Sequence, residues 1–290
     1  MKKTKLLWAA LVAVVAFASC SEDGNDDDPN VVAGTIIQIN YTCVDSDTDS
    51  CIYYLTYDND GRITQVETSV YKSYEFGAYE YDVKYGKRKM VYTYASDKIT
   101  IQDYESYGDT ADNLCDYEED GTAIYGLNSD GSLSYIDDYN YVDGEHYAYE
   151  YTYTDGYLTK QVVWGYHNFL YEWNNGSILN ASYNDGTEYS FSIGYSNCEN
   201  NANIDINTLV GETFWLENFI AGDVLGKRSD YLIGSSNLCA SDCEAITKNV
   251  YTTTNDRVSK VEVYYTEYDE DNDTSREPQL EDIYEFTYAE

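Results

Sequence analysis

Histidine sets the first limit on chemistry in this chain: His146 and His167 are the only two in 290 residues. A multi-histidine metal centre is therefore out of reach. A Ser-His-Asp or Cys-His arrangement would have to recruit a histidine that sits beside a turn. No G-x-S-x-G elbow, phosphate-cradling glycine loop or repeated C-x-x-C spacing accompanies them. Carboxylates are the opposite case. With 53 Asp and Glu, a pair able to flank a glycosidic bond is always available, yet nothing in the order of residues singles one out. No catalytic residue is assigned, and a polysaccharide hydrolase working through a carboxylate pair stands as the alternative from the enzyme class.

Two other groups of residues could hold a ligand. Asp45, Asp47 and Asp49 occupy alternate positions, and Asp269, Asp271 and Asp273 repeat the spacing. Alternate Asp side chains can converge on one Ca²⁺. Neither run has the glycine of an EF-hand loop, and Thr56 or Leu280 stands where the bidentate Glu belongs. A solvated acidic turn is thus the stronger expectation, with Ca²⁺ the one cofactor for which ligands exist. Trp164 and Trp173 flank the turn around His167, and aromatic rings stack on sugar rings. These three residues form the expected ligand patch, for a glycan or a protein partner. The 35 Tyr offer the same chemistry, but their regular spacing marks them first as packing material.

The address comes from the first residues. Lys2, Lys3 and Lys5 precede an apolar run from Leu6 to Ala18 that is too short to span a bilayer and reads as a secretory signal. Phe17-Ala18-Ser19-Cys20 resembles a bacterial lipobox, which implies a signal peptide over 1–19 and lipidation of Cys20. Ser21-Glu22-Asp23 resembles the export signal of Bacteroides-type lipoproteins displayed on the cell surface. Glu22 to Asp28 holds five acidic residues in seven and is followed by Pro29, so residues 20–34 read as a self-repelling tether. Six further cysteines remain in an oxidising compartment. Disulfides are expected among Cys43, Cys51, Cys115, Cys198, Cys239 and Cys243, with Cys43–Cys51, Cys115–Cys198 and Cys239–Cys243 one way to pair them.

The elements that must position these residues are strands. Asx-Gly pairs recur at Asp60-Gly61, Asp120-Gly121, Asp130-Gly131, Asp143-Gly144, Asp155-Gly156, Asn175-Gly176 and Asp185-Gly186, and such pairs favour tight hairpin turns. Between turns the side chains alternate, as in Tyr147-Ala148-Tyr149-Glu150-Tyr151-Thr152-Tyr153, which puts the rings on one face of a strand. No proline interrupts the chain between Pro29 and Pro278. The expected fold is all-β: an antiparallel meander of many hairpins forming a large curved sheet or barrel, in one domain over 35–290. One short amphipathic helix is expected near residues 205–222, with Asp205 or Asn207 as N-cap. Lys227 to Cys243 reads as a loop, after which strands resume.

Charge narrows the partners. A formal net charge of −36, with no basic patch, argues against nucleic acid and against contact with anionic lipid other than through a covalent anchor. A membrane-spanning barrel needs an aliphatic lipid-facing band with Tyr confined to the interfaces. Here Tyr occupies strand centres, so a water-exposed sheet or barrel held at the outer membrane by its lipid is expected.

Tyr57-Asp58-Asn59-Asp60-Gly61-Arg62-Ile63-Thr64-Gln65-Val66 resembles the YD repeat of bacterial wall-associated and toxin-shell proteins. Residues 153–162 and 251–261 are looser copies. With the lipobox and the stretch Asn203 to Asn207 entering a lone helix, the chain is similar to uncharacterised Bacteroides-type lipoproteins whose domain of unknown function has a porin-like β fold. The resemblance covers about residues 35–290. It implies architecture, and it carries no catalytic residues. The function it leaves is a lipid-anchored binding or interaction module, with a structural or adhesive protein as a further alternative.

Overall fold

A computed structural model describes residues 32–44, 50–76, 81–140, 146–163, 165, 167–184, 188–210, 219–239, 244–269, 274–275 and 277–290. The signal, Cys20, most of the tether, Asp45, Asp47, Asp49, Asp271, Asp273, Trp164 and Cys243 lie outside the described residues.

The described residues form a meander of eighteen strands. They are β1 (Ile36–Cys43), β2 (Cys51–Tyr57), β3 (Ile63–Thr68), β4 (Tyr71–Phe76), β5 (Tyr81–Tyr94) and β6 (Lys98–Gly108). Then come β7 (Glu118–Leu127), β8 (Leu133–Asn140), β9 (His146–Thr154), β10 (Tyr157–Val163), β11 (His167–Asn174) and β12 (Ser177–Asn184). The last six are β13 (Glu188–Glu199), β14 (Tyr231–Cys239), β15 (Glu244–Thr254), β16 (Arg257–Asp269), β17 (Thr274–Ser275) and β18 (Gln279–Tyr288). Every pairing is antiparallel, and β1 pairs with both β2 and β18, so the sheet closes into a 16-strand barrel. Short β4 and β17 extend the neighbours of β5 and β16. Closure leaves no edge strand to template aggregation.

Period two sorts the side chains onto two faces. The inner face carries the core: Ile39, Leu55, Val66, Met90, Ile101, Tyr125, Tyr149, Tyr151, Phe169, Tyr171 and Val261 are all buried. The outer face is mixed: polar and charged pairs run round it, and between them Tyr54, Tyr135, Tyr139, Leu170, Ile246 and Val250 are exposed. Register pairs there include Thr56–Gln65, Glu67–Lys89, Gln102–Thr122, Lys160–Thr152, Glu172–Asn180, Asn180–Ser192, Ser192–Asn237 and Lys260–Glu285. A lipid-facing wall has the reverse arrangement, apolar outward and polar inward.

The two ends of the barrel differ. At one end the turns are tight: Asp155-Gly156 and Asn175-Gly176 both have positive φ at each position, the conformation that matches strand twist in a two-residue hairpin. Residues 200–210 leave β13 at this end, and residues 219–230 return along it to β14. Asn203 Oδ1 accepts from Ile36 N at 2.8 Å, Val224 O from Leu133 N at 2.7 Å, Gly156 O from Lys227 N at 2.7 Å, and Gly176 O from Asp230 N. The crossing segment thereby touches β1, β8 and the β9–β10 and β11–β12 turns before it enters β14. Ile204, Ile206, Val210, Ile220 and Leu225 are buried in the core, and the Phe219 ring meets Tyr53 edge-on at 4.8 Å. The approach is close enough that a Cβ at Gly226, whose φ is +78°, would lie 2.4 Å from Gly156 O.

A repeated bond finishes this sealed rim. Tyr57, Tyr94 and Tyr288 donate their hydroxyls to the carbonyls of Ile36, Ile63 and Val258, and Trp173 Nε1 donates to Leu158 O. Each tethers the last inward ring of one strand to the first inward residue of its neighbour. Sixteen strands enclose more cross-section than aliphatic side chains fill, and large rings plus the crossing segment fill the sealed half.

The short helix expected near 205–222, with Asp205 as its cap, is present among the described residues as a 3-10 turn, Ile206–Thr208; residues 211–218 lie outside the description. Other expectations are corrected. Tyr231 to Cys239 is not loop but β14, paired to β13 and β15. Asp120-Gly121 is not a hairpin turn. It lies within β7, where Gly121 faces Asp103 and Glu119 faces Tyr104, leaving Asp120 as the extra residue of a bulge. Cys43, Cys51, Cys115 and Cys198 stand as thiols. Cys51 faces Tyr41, so Cys43 sits on the diagonal, at about 7–8 Å, beyond the roughly 6.8 Å Cα separation a disulfide accepts. Cys115 precedes β7 and Cys198 lies on β13, strands well separated round the ring. The side chain of Cys239 is outside the description, as is Cys243.

Candidate functional site

Trp173 and His167 do not form a patch. They begin and end the same strand, β11, six residues apart, which is about 20 Å of strand. Trp173 packs on Tyr157 with ring centroids 4.7 Å apart, and the Lys227 ammonium lies 5.0 Å from the other ring, so the indole is committed to the sealed rim. No group of three or more metal-ligating residues occurs among the described residues. A shallow cavity of about 420 Å³ between Asn255, Arg257 and Tyr288 lies at the sealed rim, where Arg257 stacks on Tyr288.

The concentration of chemistry is on the inner wall, beyond the level at which Phe219 of the crossing segment meets Tyr53 on β2. In β5 the inward residues are Gly86, Arg88, Met90, Tyr92 and Tyr94, whereas Lys87 and Lys89 point outward, with Lys89 held between the rings of Tyr104 and Tyr117 at 4.9 and 4.5 Å. Arg88 faces inward, opposite Glu105 in register and diagonal to Asp103. Its Nε donates to Asp103 Oδ1 and Oδ2 at 3.0 and 2.7 Å, and Nη2 also donates to Oδ2. The backbone beneath is fixed by Thr68, whose Oγ1 accepts from Arg88 N at 2.8 Å.

Although Arg88 points into the barrel, its side chain keeps 38% exposure, against 12% for Asp103. Water therefore reaches this level of the interior. Burial opposes the charge on Arg88, but the Asp103 hydrogen bonds, with the charges of Asp103 and Glu105, hold the guanidinium protonated well above its usual range. Glu105 goes the other way. Burial, then the charge of Asp120, push its carboxyl up to about 7, with Arg88 pulling against them. It is a group that changes charge near neutrality on an inward-facing wall.

Rings surround this pair. Tyr71, on β4, lies over Gly86 so closely that a Cβ there would come within 2.8 Å of its Cζ. Tyr53 lies on the next strand, its hydroxyl pKa raised by burial and by the Cys51 thiol it bonds. Further round, Tyr41 donates to Asp282 Oδ1 at 2.8 Å and meets the Tyr284 ring at 5.1 Å. On the opposite side Tyr171 OH donates to Gln161 Oε1 at 3.1 Å. Tyr92, two inward positions below Arg88, has a buried hydroxyl with no hydrogen-bond partner, and the charges of Arg88 and Asp103 both act on it.

Sequence reasoning passed over this wall, because nothing in Lys87-Arg88-Lys89 by residue type singles out its middle member. The available signal was the alternation: Arg88 shares its face with Met90 and Tyr92. A guanidinium, a clamped carboxylate, a second carboxyl titrating near neutrality and aromatic faces make a hydrogen-bonding surface suited to a polar, ring-containing ligand.

No family model matches the chain, and no curated protein matches it. Among solved structures it is similar to a porin-like protein from Bacteroides uniformis ATCC 8492, with 16% identity, 88% of this chain and 97% of that chain covered, and a TM-score of 0.59. A second porin-like protein, from Bacteroides vulgatus ATCC 8482, shares 13% identity over 88% of this chain and 98% of that one, with a TM-score of 0.32. The first likeness shows the fold: this chain has a porin-like β-barrel.

Proposed function

We propose that the chain is a lipid-anchored lipoprotein of the outer membrane, displayed to the exterior, whose barrel serves as a binding module for glycans and conducts nothing. The observation that carries this reading is the seal. Residues 200–210 and 219–230 cross one end of a barrel whose outer wall carries charged and polar register pairs and whose sealed half is packed with apolar side chains, unlike the polar-lined interior of a membrane pore.

Lipidation at Cys20 gives this body a direction. Gly34 N donates to Ala289 O at the sealed rim, so a tether from Cys20 joins the barrel there and the sealed end faces the membrane. The other end, with the Arg88 wall below it, faces outward. The hydrolase alternative is weakened because Arg88 occupies both oxygens of Asp103, which takes one of the carboxylates beside Glu105 out of acid-base work.

Surface labelling of intact cells tests the location. Cys20→Ala should move the protein from the outer-membrane fraction to a soluble one, and wild type should be protease-accessible on whole cells; a protected wild type contradicts display. Glycan-array binding tests the activity. Release of reducing sugar, abolished by Glu105→Gln, would instead establish the hydrolase.

A further inference from the structure

We infer that the ligand site is inside the barrel, on the wall formed by Arg88, Asp103, Glu105, Tyr71 and Tyr92, and that it takes one ring of a neutral saccharide. The inference rests on the glycan-binding reading and gives it a location and a ligand class.

Four observations converge. Arg88 points inward yet remains 38% exposed, so the wall is reachable from solvent. Its charge is balanced by Asp103, so the pair offers no net charge to attract an anion. Guanidinium and carboxylate groups each present paired donors or acceptors, the geometry that adjacent ring hydroxyls match bidentately. The Tyr71 ring, seated over the bare backbone of Gly86 and part-exposed, stands on the same wall, and an aromatic face is what the C–H face of a sugar stacks on.

The fourth observation is independent of the ion pair. Tyr92 is 5% exposed, and its hydroxyl is buried without a hydrogen-bond partner. An unsatisfied buried hydroxyl costs stability and calls for an explanation. A ligand hydroxyl entering beside Arg88 and Asp103 supplies one. Glu105, opposite Arg88, adds a further group able to donate or accept.

Calorimetric titration of the mature chain with neutral mono- and disaccharides, and with spermidine as a cationic probe, tests the assignment. Tyr92→Phe is the decisive variant, because deleting an orphan hydroxyl leaves the fold intact or more stable. It should weaken saccharide binding by about fivefold to tenfold, the value of one hydrogen bond. Tyr71→Ala should weaken it further. The pair Tyr135→Ala and Tyr139→Ala, which removes exposed rings from the outer face of β8, should leave it unchanged. Saccharide binding that survives Tyr92→Phe and Tyr71→Ala but fails in the outer-face variant overturns the interior site while the glycan reading stands. Binding of spermidine alone overturns the ligand class. No saccharide binding by wild type overturns both.

Discussion

Glu105 makes the inner wall sensitive to pH. The folded state holds the Glu105 proton up to about 7, whereas an unfolded chain releases it near the ordinary glutamate value of about 4.3. The folded state therefore binds more protons across that window, and its stability falls as pH rises from about 4.3 to about 7, then levels off. Glu105→Gln should remove this slope. Equilibrium denaturation should find the variant about 1–3 kcal/mol more stable than wild type at pH 8 and nearly equal at pH 4. Arg88→Met should act differently, because it strands the Asp103 carboxylate; a loss of about 3 kcal/mol at pH 7 is expected. None of this was legible from residue identity. Arg88 sits between two lysines, and only the direction of its side chain, inward between outward neighbours, separates a solvated charge from one inside the barrel. The inward rings were legible: Tyr149, Tyr151 and Tyr153 alternate with polar residues, and period two permits no other face.

At the scale of elements, the crossing segment carries the most distinctive energetics. Asn207 is fully buried and stitches the 3-10 turn to the start of β14. Its Nδ2 donates to Ser229 Oγ at 2.9 Å, and its Oδ1 accepts from Ile233 N at 2.8 Å. Asn207→Ala strands these groups, and a cost of about 2–4 kcal/mol is expected. Hydrogen exchange should accelerate first in residues 200–230, while β5 to β9 stay protected. Tyr57 ties the seal to the wall, donating to Ile36 O at 2.6 Å and accepting from Asn203 Nδ2 at 3.0 Å. Tyr57→Phe should cost about 1–2 kcal/mol and lower the thermal midpoint by a few degrees, whereas Tyr94→Phe, which loses one bond to Ile63 O, should cost about half that. The turns were readable because Asx-Gly at positive φ has one common use. Asp120-Gly121 misled because the same dipeptide also makes bulges. Strand β14 was missed because Gly234-Ser235-Ser236-Asn237 has low strand propensity, and pairing on both sides overrides it.

For the whole molecule, hairpin spacing and alternation announced an antiparallel meander, and the absence of internal proline was consistent with unbroken ladders. Closure was not legible: it depends on β1 meeting β18, more than 240 residues apart in register, as in Tyr41 opposite Tyr284. Nor was the seal, since the segment that forms it makes its bonds to strands remote in sequence. The central claim is that this porin-like barrel is closed at one end and stands in water, with its apolar side inward. It is tested most directly by sedimentation of the Cys20→Ala chain in buffer without detergent. The charged and polar pairs on the outer wall predict a folded, monodisperse β-protein that needs no detergent. A chain that precipitates unless detergent is supplied, and recovers its β structure only in micelles, would contradict the account.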